Sequence, residues 1–284
     1  MPRTGYVCLT FDFDAISIWL QRNMPTMTPI SRGEFGAEAI PRILHMLKKR
    51  GIESTWFIPG HTMETYPSLC RDILEEGHEI GLHGYLHENF NTLEETEELS
   101  ILKRTFQIAE KLTGDKPKGY RSPSWDLSYR TAGFLEAMGF LYDSSLMGRD
   151  YSPYFCRKGD SYAKDAAFTF GEASNLAEIP VSWSLDDYPH FEYVRLPHTI
   201  MQGLQSPAVL YSNWSDDLKY MLRDFEEGVM TVTFHPQVSG RGHRLLALEN
   251  WLDSIMGKDI RFCRMDRIAE LFCAGKQFGI YKPL

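Results

Sequence analysis

Two acidic residues near the start of the chain have a spacing that suits metal or acid–base chemistry. Asp12 and Asp14 lie in VCLTFDFDAISIW, a stretch that otherwise has the apolar character of a buried strand. A strand turns successive side chains to opposite faces, so the two carboxylates share one face and repel each other unless a cation or hydrogen-bond donors lie nearby. The alternative is a strand that runs out into solvent, where acidic side chains need no partner.

His83 and His87 could provide the cation site that these acids require. Their i to i+4 spacing is that of two ligands on one helical turn. Two imidazoles and one of the two carboxylates leave coordination positions open, which is typical of a catalytic metal site. The same ligand types bind iron in non-haem Fe(II) oxygenases, so an oxygenase is one alternative. Histidines with an ordinary surface or core role are another.

More polar residues follow other predicted strands at their carboxyl ends. They are Arg121 at the end of KGYRS, Asp186 and Asp187 after AEIPVSW, and His235 at the end of VMTVTF. Parallel α/β folds build their sites at this edge of the sheet, so we expect these residues to converge there with the acids and histidines.

Strand-like and helix-like segments alternate along the chain. The predicted strands are the segment that contains Asp12 and residues 54–58, 78–83, 118–122, 177–183, 228–236 and 260–263, and helices are predicted between most of them. Such alternation indicates a parallel sheet in an α/β fold, and seven or eight units favour closure into a barrel. An open doubly wound sheet is the alternative. Residues 20–35 and 147–175 fit no regular element and could form lids, oligomer contacts or irregular surface.

Composition excludes several classes of protein. The chain of 284 residues has no linker-like segment, so one domain spanning residues 1–284 is predicted. A net charge of −8 disfavours nucleic acid as a partner. There is no apolar run long enough for a transmembrane helix and no visible export signal, and the five cysteines lack metal-site spacing. We therefore expect a cytoplasmic protein with reduced thiols and no membrane partner.

Four motifs, TFDFD, HGYLH, RSPSW and TFHP, occur in this order between residue 10 and about residue 236. Together they resemble the motifs of the polysaccharide deacetylases, also called the NodB-homology or carbohydrate esterase family 4 proteins. Phe13 separates the two acids of the first motif, as in the subgroup that resembles the Helicobacter-type peptidoglycan deacetylase and certain cyclic-imide hydrolases. The resemblance implies a distorted (β/α) barrel of about seven parallel strands that hydrolyses a non-peptide C–N bond.

The resemblance also implies a role for each site residue. Asp12 would be the general base, held ionised by Arg121. The metal ligands would be Asp14, His83 and His87, with Zn²⁺ as the first expectation and Co²⁺, Mn²⁺, Ni²⁺ or Fe²⁺ as alternatives. His235 would protonate the leaving nitrogen, supported by Asp186 or Asp187, and a backbone N–H near Trp125 would stabilise the oxyanion.

Among the other histidines, only His190 in DDYPHF is a candidate for contact with substrate. The rest are expected to be structural or exposed, namely His45, His61, His78, His198 and His243.

The aromatic segments 147–175 and 186–197 are predicted to roof the mouth of the barrel, either within one chain or through a neighbouring subunit of a homo-oligomer. A closed pocket and no export signal favour a small amide, cyclic imide or ureide as the substrate. The alternatives are N-deacetylation of peptidoglycan or chitin-like sugars, and a carbohydrate-binding module without catalytic activity.

Overall fold

The computed structural model of the chain describes residues 4–196, 199–257 and 259–283, and strands alternate with helices through most of them. The strands are β1 (Gly5–Asp12), β2 (Thr55–Ile58), β3 (Glu79–Leu82), β4 (Gly119–Tyr120), β5 (Tyr142–Asp143), β6 (Tyr154–Lys158), β7 (Glu172–Glu178), β8 (Tyr193–Arg195), β9 (Ile200–Gln202), β10 (Phe225–Glu226), β11 (Val229–Phe234), β12 (Ile260–Phe262) and β13 (Ile280–Tyr281).

Eleven α-helices lie in the described part of the chain. They are α1 (Ser17–Gln21), α2 (Met27–Arg50), α3 (Gly60–Thr65), α4 (Pro67–Glu75), α5 (Glu95–Thr113), α6 (Thr131–Met138), α7 (Asp187–Phe191), α8 (Pro207–Asp224), α9 (Pro236–Ser239), α10 (Gly242–Ile255) and α11 (Met265–Cys273). None of these helices is long and apolar enough to cross a membrane.

Nine strands form one curled sheet in the order β11-β1-β2-β3-β4-β5-β7-β6, and β12 also pairs with β1. All neighbouring pairs are parallel except β6 and β7, which are antiparallel. The sheet curls into a half-barrel. The predicted α/β class and distorted barrel are therefore confirmed, with an antiparallel edge strand that the sequence analysis did not include.

Strand β1 is apolar in sequence but positions polar groups of the site. All eight of its residues are buried, as expected for a parallel strand covered on both faces. Phe11 packs outward in a stack with Trp56 and Phe234, at ring-centroid distances of 4.4 and 5.4 Å. Thr10 and Asp12 alternate with it and point the other way. The inner face of the barrel thus carries polar groups at the carboxyl end of β1.

The prediction that residues 20–35 lack regular structure is wrong, because α2 begins at Met27 and continues to Arg50. Pro29 and Gly33, two residue types that are unfavourable inside helices, lie in this segment. Pro29 lies in the first turn, where the backbone N–H has no partner within the helix. A Cβ atom at Gly33 would lie 2.6 Å from the Ala15 carbonyl oxygen, so the glycine allows α2 to pack closely on that backbone.

The segment 147–175 is also more regular than predicted. It contains β6 and the start of β7, which pair as an antiparallel hairpin at the edge of the sheet. Most side chains of β6 are at least partly exposed, so the strand lacks a strong apolar pattern. The predicted strand 177–183 ends at Glu178, and a 3₁₀ turn from Trp183 to Leu185 follows before Asp186.

Candidate active site

The polar residues from the four motifs converge on one cavity of about 130 Å³ at the carboxyl ends of the parallel strands. Asp12 ends β1, while His83, Arg121 and His235 directly follow β3, β4 and β11. The cavity is lined by Asp12, Ile18, Arg22, His83, His87, Ser124, Trp125, Trp183, Asp186, Tyr188, Pro189, Met201 and His235. The convergence predicted from strand positions is thus present in the structure.

Asp14, His83 and His87 form a compact buried cluster. Their ligand atoms lie within 4.8 Å of one another, and Asp14 Oδ1 is 3.5 Å from His83 Nε2 and 3.9 Å from His87 Nε2. Asp14 Oδ1 is buried and accepts no hydrogen bond from any described residue. A buried, unpaired carboxylate oxygen between two imidazole nitrogens fits a divalent cation.

The tautomer of His83 supports the same assignment. Its Nδ1 lies 2.8 Å from the backbone carbonyl oxygen of Arg121. A carbonyl oxygen can only accept, so Nδ1 carries the proton and Nε2 offers its lone pair to the cluster. Burial lowers the pKa of His87 well below its usual value. His87 is thereby prepared to act as a neutral ligand.

The two histidines lie on a loop after β3, so their i to i+4 spacing does not come from a helical turn. Gly84 and His87 have left-handed backbone conformations, with φ of 65° and 63°. The carboxylate of Glu88 accepts hydrogen bonds from the N–H groups of Tyr85 at 2.9 Å and Leu86 at 2.8 Å. Glu88 therefore stabilises the turn that brings His87 back to the cluster.

Asp12 is paired with Arg121 rather than with the histidine cluster. Arg121 Nη1 donates to Asp12 Oδ1 at 2.7 Å, and both side chains are almost completely buried. The guanidinium also donates to Thr10 Oγ1 and to the backbone oxygen and hydroxyl of Ser144. Burial alone would raise the pKa of Asp12, but Arg121 together with His83 and His235 outweighs burial and lowers the pKa. Asp12 is thus kept ionised and oriented.

Asp14 has the opposite electrostatic balance from Asp12. Burial raises the pKa of Asp14 above its ordinary value, and the nearby histidines only partly oppose this effect. No guanidinium lies within ion-pair distance of its carboxylate among the described residues. A bound cation would favour the ionised form of Asp14, which is the reason that one acid suits a base and the other a ligand.

His235 is held at the cavity by Asp187. Its Nδ1 lies 2.8 Å from Asp187 Oδ1, and Asp187 also accepts from the His235 N–H and from the Ser239 hydroxyl. Asp186 Oδ1 lies 3.5 Å from the same Nδ1 and accepts a hydrogen bond from the Tyr188 N–H. The sequence left open which acid supports His235. The geometry gives the direct hydrogen bond to Asp187 and places Asp186 on the cavity wall.

These two acids change the protonation of His235. Burial disfavours the charged ring, but Asp186 and Asp187 outweigh burial and raise the pKa of His235 to about 10. Burial raises the pKa of Asp186 to about 7, assisted by the charge of Asp187. His235 is therefore a cation at neutral pH, with Nε2 3.9 Å from Asp14 Oδ2 and 4.0 Å from Asp12 Oδ2.

Trp125 lies at the cavity, but not as a backbone donor. Its N–H donates to the Ser122 carbonyl oxygen at 2.9 Å, so this amide is not free to bind an oxyanion. The indole instead stacks on Trp183, with ring centroids 4.4 Å apart. Trp183 is 45% exposed, so the pair forms an aromatic rim where the cavity opens to solvent.

The other predicted substrate contacts lie away from the cavity. His190 Nδ1 lies 3.3 Å from Gln205 Oε1, and this ring is not among the lining residues. No residue of 147–175 lines the cavity either, so that segment does not roof it. From 186–197 the wall receives Asp186, Tyr188 and Pro189, while Pro197 lies outside the described residues.

The remaining histidines agree with the prediction as far as they are described. His45 and His243 are exposed, and His61 is partly buried. His78 is buried, and its Nδ1 accepts from the Ser54 N–H at 3.1 Å. His198 lies outside the described residues.

Sequence reasoning missed three residues of the site. Glu88 supports the histidine loop, and its position directly after His87 was a usable signal. The Ser239 hydroxyl donates a hydrogen bond to Asp187, and its position four residues after His235 is not a recognisable sequence signal. Arg22 lines the cavity from a segment that was assigned no structure, so no pattern indicated it.

Comparisons with known proteins show the family to which the chain belongs. Residues 2–142 match the family model described as polysaccharide deacetylase. The chain is 36% identical over 287 residues to the peptidoglycan deacetylase of Helicobacter pylori, covering 96% of this chain and 97% of the relative. It is 32% identical to a peptidoglycan deacetylase-like protein of Gibberella zeae, covering 95% of this chain and 87% of the relative.

Solved structures show the same fold. A Mycobacterium smegmatis protein assigned to the polysaccharide deacetylases has a TM-score of 0.83 and 32% identity, covering 100% of this chain and 96% of that one. The PuuE allantoinase has a TM-score of 0.77 at 18% identity, covering 96% and 92%, which is a likeness of fold alone. By family match, near-full-length relatives and fold, this chain belongs to the polysaccharide deacetylase family of hydrolases, which act on C–N bonds other than peptide bonds.

Proposed function

We propose that the protein is a metal-dependent N-deacetylase of N-acetylated amino sugars of the peptidoglycan or chitin type. The observation that carries the proposal is the placement of the Asp14–His83–His87 cluster beside two ion pairs, Asp12–Arg121 and His235–Asp187. The near-full-length similarity to the peptidoglycan deacetylase of Helicobacter pylori supports the sugar substrate. The small amide or cyclic imide, preferred on sequence grounds, has no such support and is replaced by the former alternative.

Asp14, His83 and His87 would hold the divalent cation, and Zn²⁺ suits two imidazoles and a carboxylate with open positions. When bound, such a cation supplies a Lewis acid that polarises the acyl carbonyl and makes water more acidic. The all-β barrels of the oxygenases that share this ligand set do not resemble the curled parallel sheet found here.

The protein's own side chains would carry the protons. Asp12 accepts a proton from the attacking water, and Arg121 keeps its carboxylate ionised and correctly oriented. His235, a cation held by Asp187, donates its proton to the nitrogen as the C–N bond breaks. The products are acetate and a free amine. No step needs an oxidant or a second substrate.

The size of the cavity favours an acyl group over a whole sugar. Its volume of about 130 Å³ is below the roughly 300–1,000 Å³ typical of sites that enclose a ligand. Trp125 and Trp183 provide an aromatic surface at its mouth, where the body of an amino sugar could lie. The small cavity with an aromatic surface at its mouth therefore matches a small acyl group on a larger molecule. Homo-oligomerisation and a cytoplasmic location stay predictions.

The test is a substrate screen with Zn²⁺-loaded protein. Acetate and free amine are measured after incubation with peptidoglycan fragments and chitooligosaccharides, and ring opening is measured with succinimide, hydantoin and allantoin. Asp12→Asn, loaded in the same way, controls for contaminating activity. We expect acetate from at least one N-acetylated sugar, at a rate about 10²–10⁴ lower with the variant. Ring opening without any deacetylation would overturn the proposal.

A further inference from the structure

Arg22 is a charged residue of the cavity that takes no part in the proposed hydrolysis. It lies between α1 and α2, and among the residues that line the cavity it is the only arginine or lysine. Its Nη1 donates to the Tyr188 hydroxyl at 2.7 Å. Within the described residues, no carboxylate lies within ion-pair distance of its guanidinium and no other acceptor takes a hydrogen bond from it.

The charged groups that would carry the proton transfers are paired within the protein. Asp12 is bound by Arg121 at 2.7 Å, and His235 by Asp187 at 2.8 Å. Asp14 faces the two ligand histidines. Arg22 thus differs from Asp12 and His235 because most of its donors have no partner among the described residues.

Two buried aromatic rings fix the position of Arg22. Its guanidinium carbon lies 5.7 Å from the centroid of the Trp19 ring and 5.6 Å from that of Tyr188. Arg32 lies over the same Trp19 ring at 4.6 Å, but its guanidinium is bound by Glu192 and by the Tyr193 carbonyl oxygen. Of the two arginines on Trp19, only Arg22 lines the cavity and keeps free donors. A guanidinium held in this way is prepared for a ligand.

We propose that Arg22 binds a carboxylate of the substrate, so that the protein prefers N-acetylated amino sugars that carry a carboxylate near the acetamido group. The inference rests on the proposed function and deepens it by naming the substrate class. The planar guanidinium matches the two oxygens of a carboxylate. One guanidinium balances one negative charge, whereas a phosphate dianion would add excess charge beside Asp12 and Asp186.

A matched set of ligands tests this directly. N-acetylmuramic acid differs from N-acetylglucosamine by a lactyl group with a carboxylate, and its methyl ester keeps the size of that group without the charge. Binding is measured by calorimetry with the Zn²⁺-loaded protein. We expect the acid to bind about 10- to 100-fold more tightly than the ester, the range for a hydrogen bond to a charged group.

Variants assign the preference to one side chain. Arg22→Gln should remove the difference between acid and ester, and Arg22→Lys should keep part of it because the charge remains. The control is Arg267→Gln, which removes an exposed arginine paired with Glu270 at 3.1 Å and should retain the full preference. Equal binding of acid and ester by the wild type, or a full preference in Arg22→Gln, would overturn the inference.

Failure of this inference can be told apart from failure of the deacetylase proposal. Binding does not require turnover, so a preference for the acid without any acetate release would support the carboxylate site and contradict the proposed reaction. Acetate release with no preference for the acid would support the proposed reaction and contradict the carboxylate site.

Discussion

The guanidinium of Arg121 lies 2.7 Å from the carboxylate of Asp12, and both side chains are buried where the parallel strands end. The same guanidinium binds Thr10 on β1 and Ser144 just after β5. One buried cation thus joins separate strands and holds the proposed base in position. The pair is both a part of the site and a part of the structure around it.

Removing Arg121 should therefore destabilise the fold. Arg121→Met leaves Asp12 buried without its cation, and we expect a loss of about 3–5 kcal/mol in the free energy of unfolding, measured with urea. Adding Asp12→Asn should recover part of that loss, because the uncompensated charge is gone. Purely additive effects of the two substitutions would contradict the pairing.

Asp12 and Asp14 should differ in what their substitution removes. Asp12→Asn should lower kcat by about 10²–10⁴, the range for loss of a general base, with metal content unchanged. Asp14→Asn should release the metal, since it replaces a charged carboxylate ligand by a neutral amide. Elemental analysis beside kcat separates the two roles. Metal loss in Asp12→Asn with metal retention in Asp14→Asn would show that Asp12 is the ligand and Asp14 the base.

The alkaline limb of the pH–rate profile should report His235. Activity needs its protonated ring, so the rate should fall as pH rises through about 10, the value to which Asp186 and Asp187 raise its pKa. Asp187→Asn should move this limb to lower pH and reduce the rate on the plateau, because the ring also loses its orienting partner. A limb that stays in place in Asp187→Asn would contradict the role of the pair.

His235 should also couple stability to pH. Its folded-state pKa of about 10 lies above the ordinary value of 6.5, so protonation favours the folded state. The contribution is complete below about pH 6.5 and is lost as pH rises through about 10. The difference in unfolding free energy between wild type and His235→Gln should shrink over that range. A constant difference would contradict the raised pKa.

Glu88 should matter for metal affinity although it is not a ligand. Glu88→Ala leaves the N–H groups of Tyr85 and Leu86 without acceptors and loosens the turn before His87. We expect Zn²⁺ affinity to fall by about 10- to 100-fold, as for other residues that orient ligands. Competition with a chelator measures it, and Glu97→Ala, an exposed position on α5, is the control. Equal affinity in both variants would argue against the loop assignment.

The general location of the site was predictable because of the parallel topology. Asp12, His83, Arg121 and His235 each follow an apolar strand, and the carboxyl ends of parallel strands meet at one edge. The positions of the strand ends alone therefore predict that these residues lie close together. The roles of Asp12 and Asp14 came from family resemblance, and their different surroundings fit those roles.

The remaining details depend on contacts that have no regular pattern in sequence. The turn between His83 and His87 depends on left-handed backbone at Gly84 and on Glu88, and the i to i+4 spacing alone does not predict it. The start of α2 was not predicted because glycine is unfavourable inside helices, whereas Gly33 allows this helix to pack closely on the Ala15 backbone. Arg22 reaches the cavity through stacking on Trp19 and Tyr188, which the sequence does not reveal.

The most direct test of the central claim is the metal content of purified wild type and His83→Ala after loading with Zn²⁺ and removal of excess ion. His83 belongs to the cluster and holds its lone pair toward Asp14. We predict one Zn²⁺ per chain in the wild type and almost none in His83→Ala, with both proteins folded by circular dichroism. Full occupancy in folded His83→Ala, or no metal in the wild type, would contradict the account.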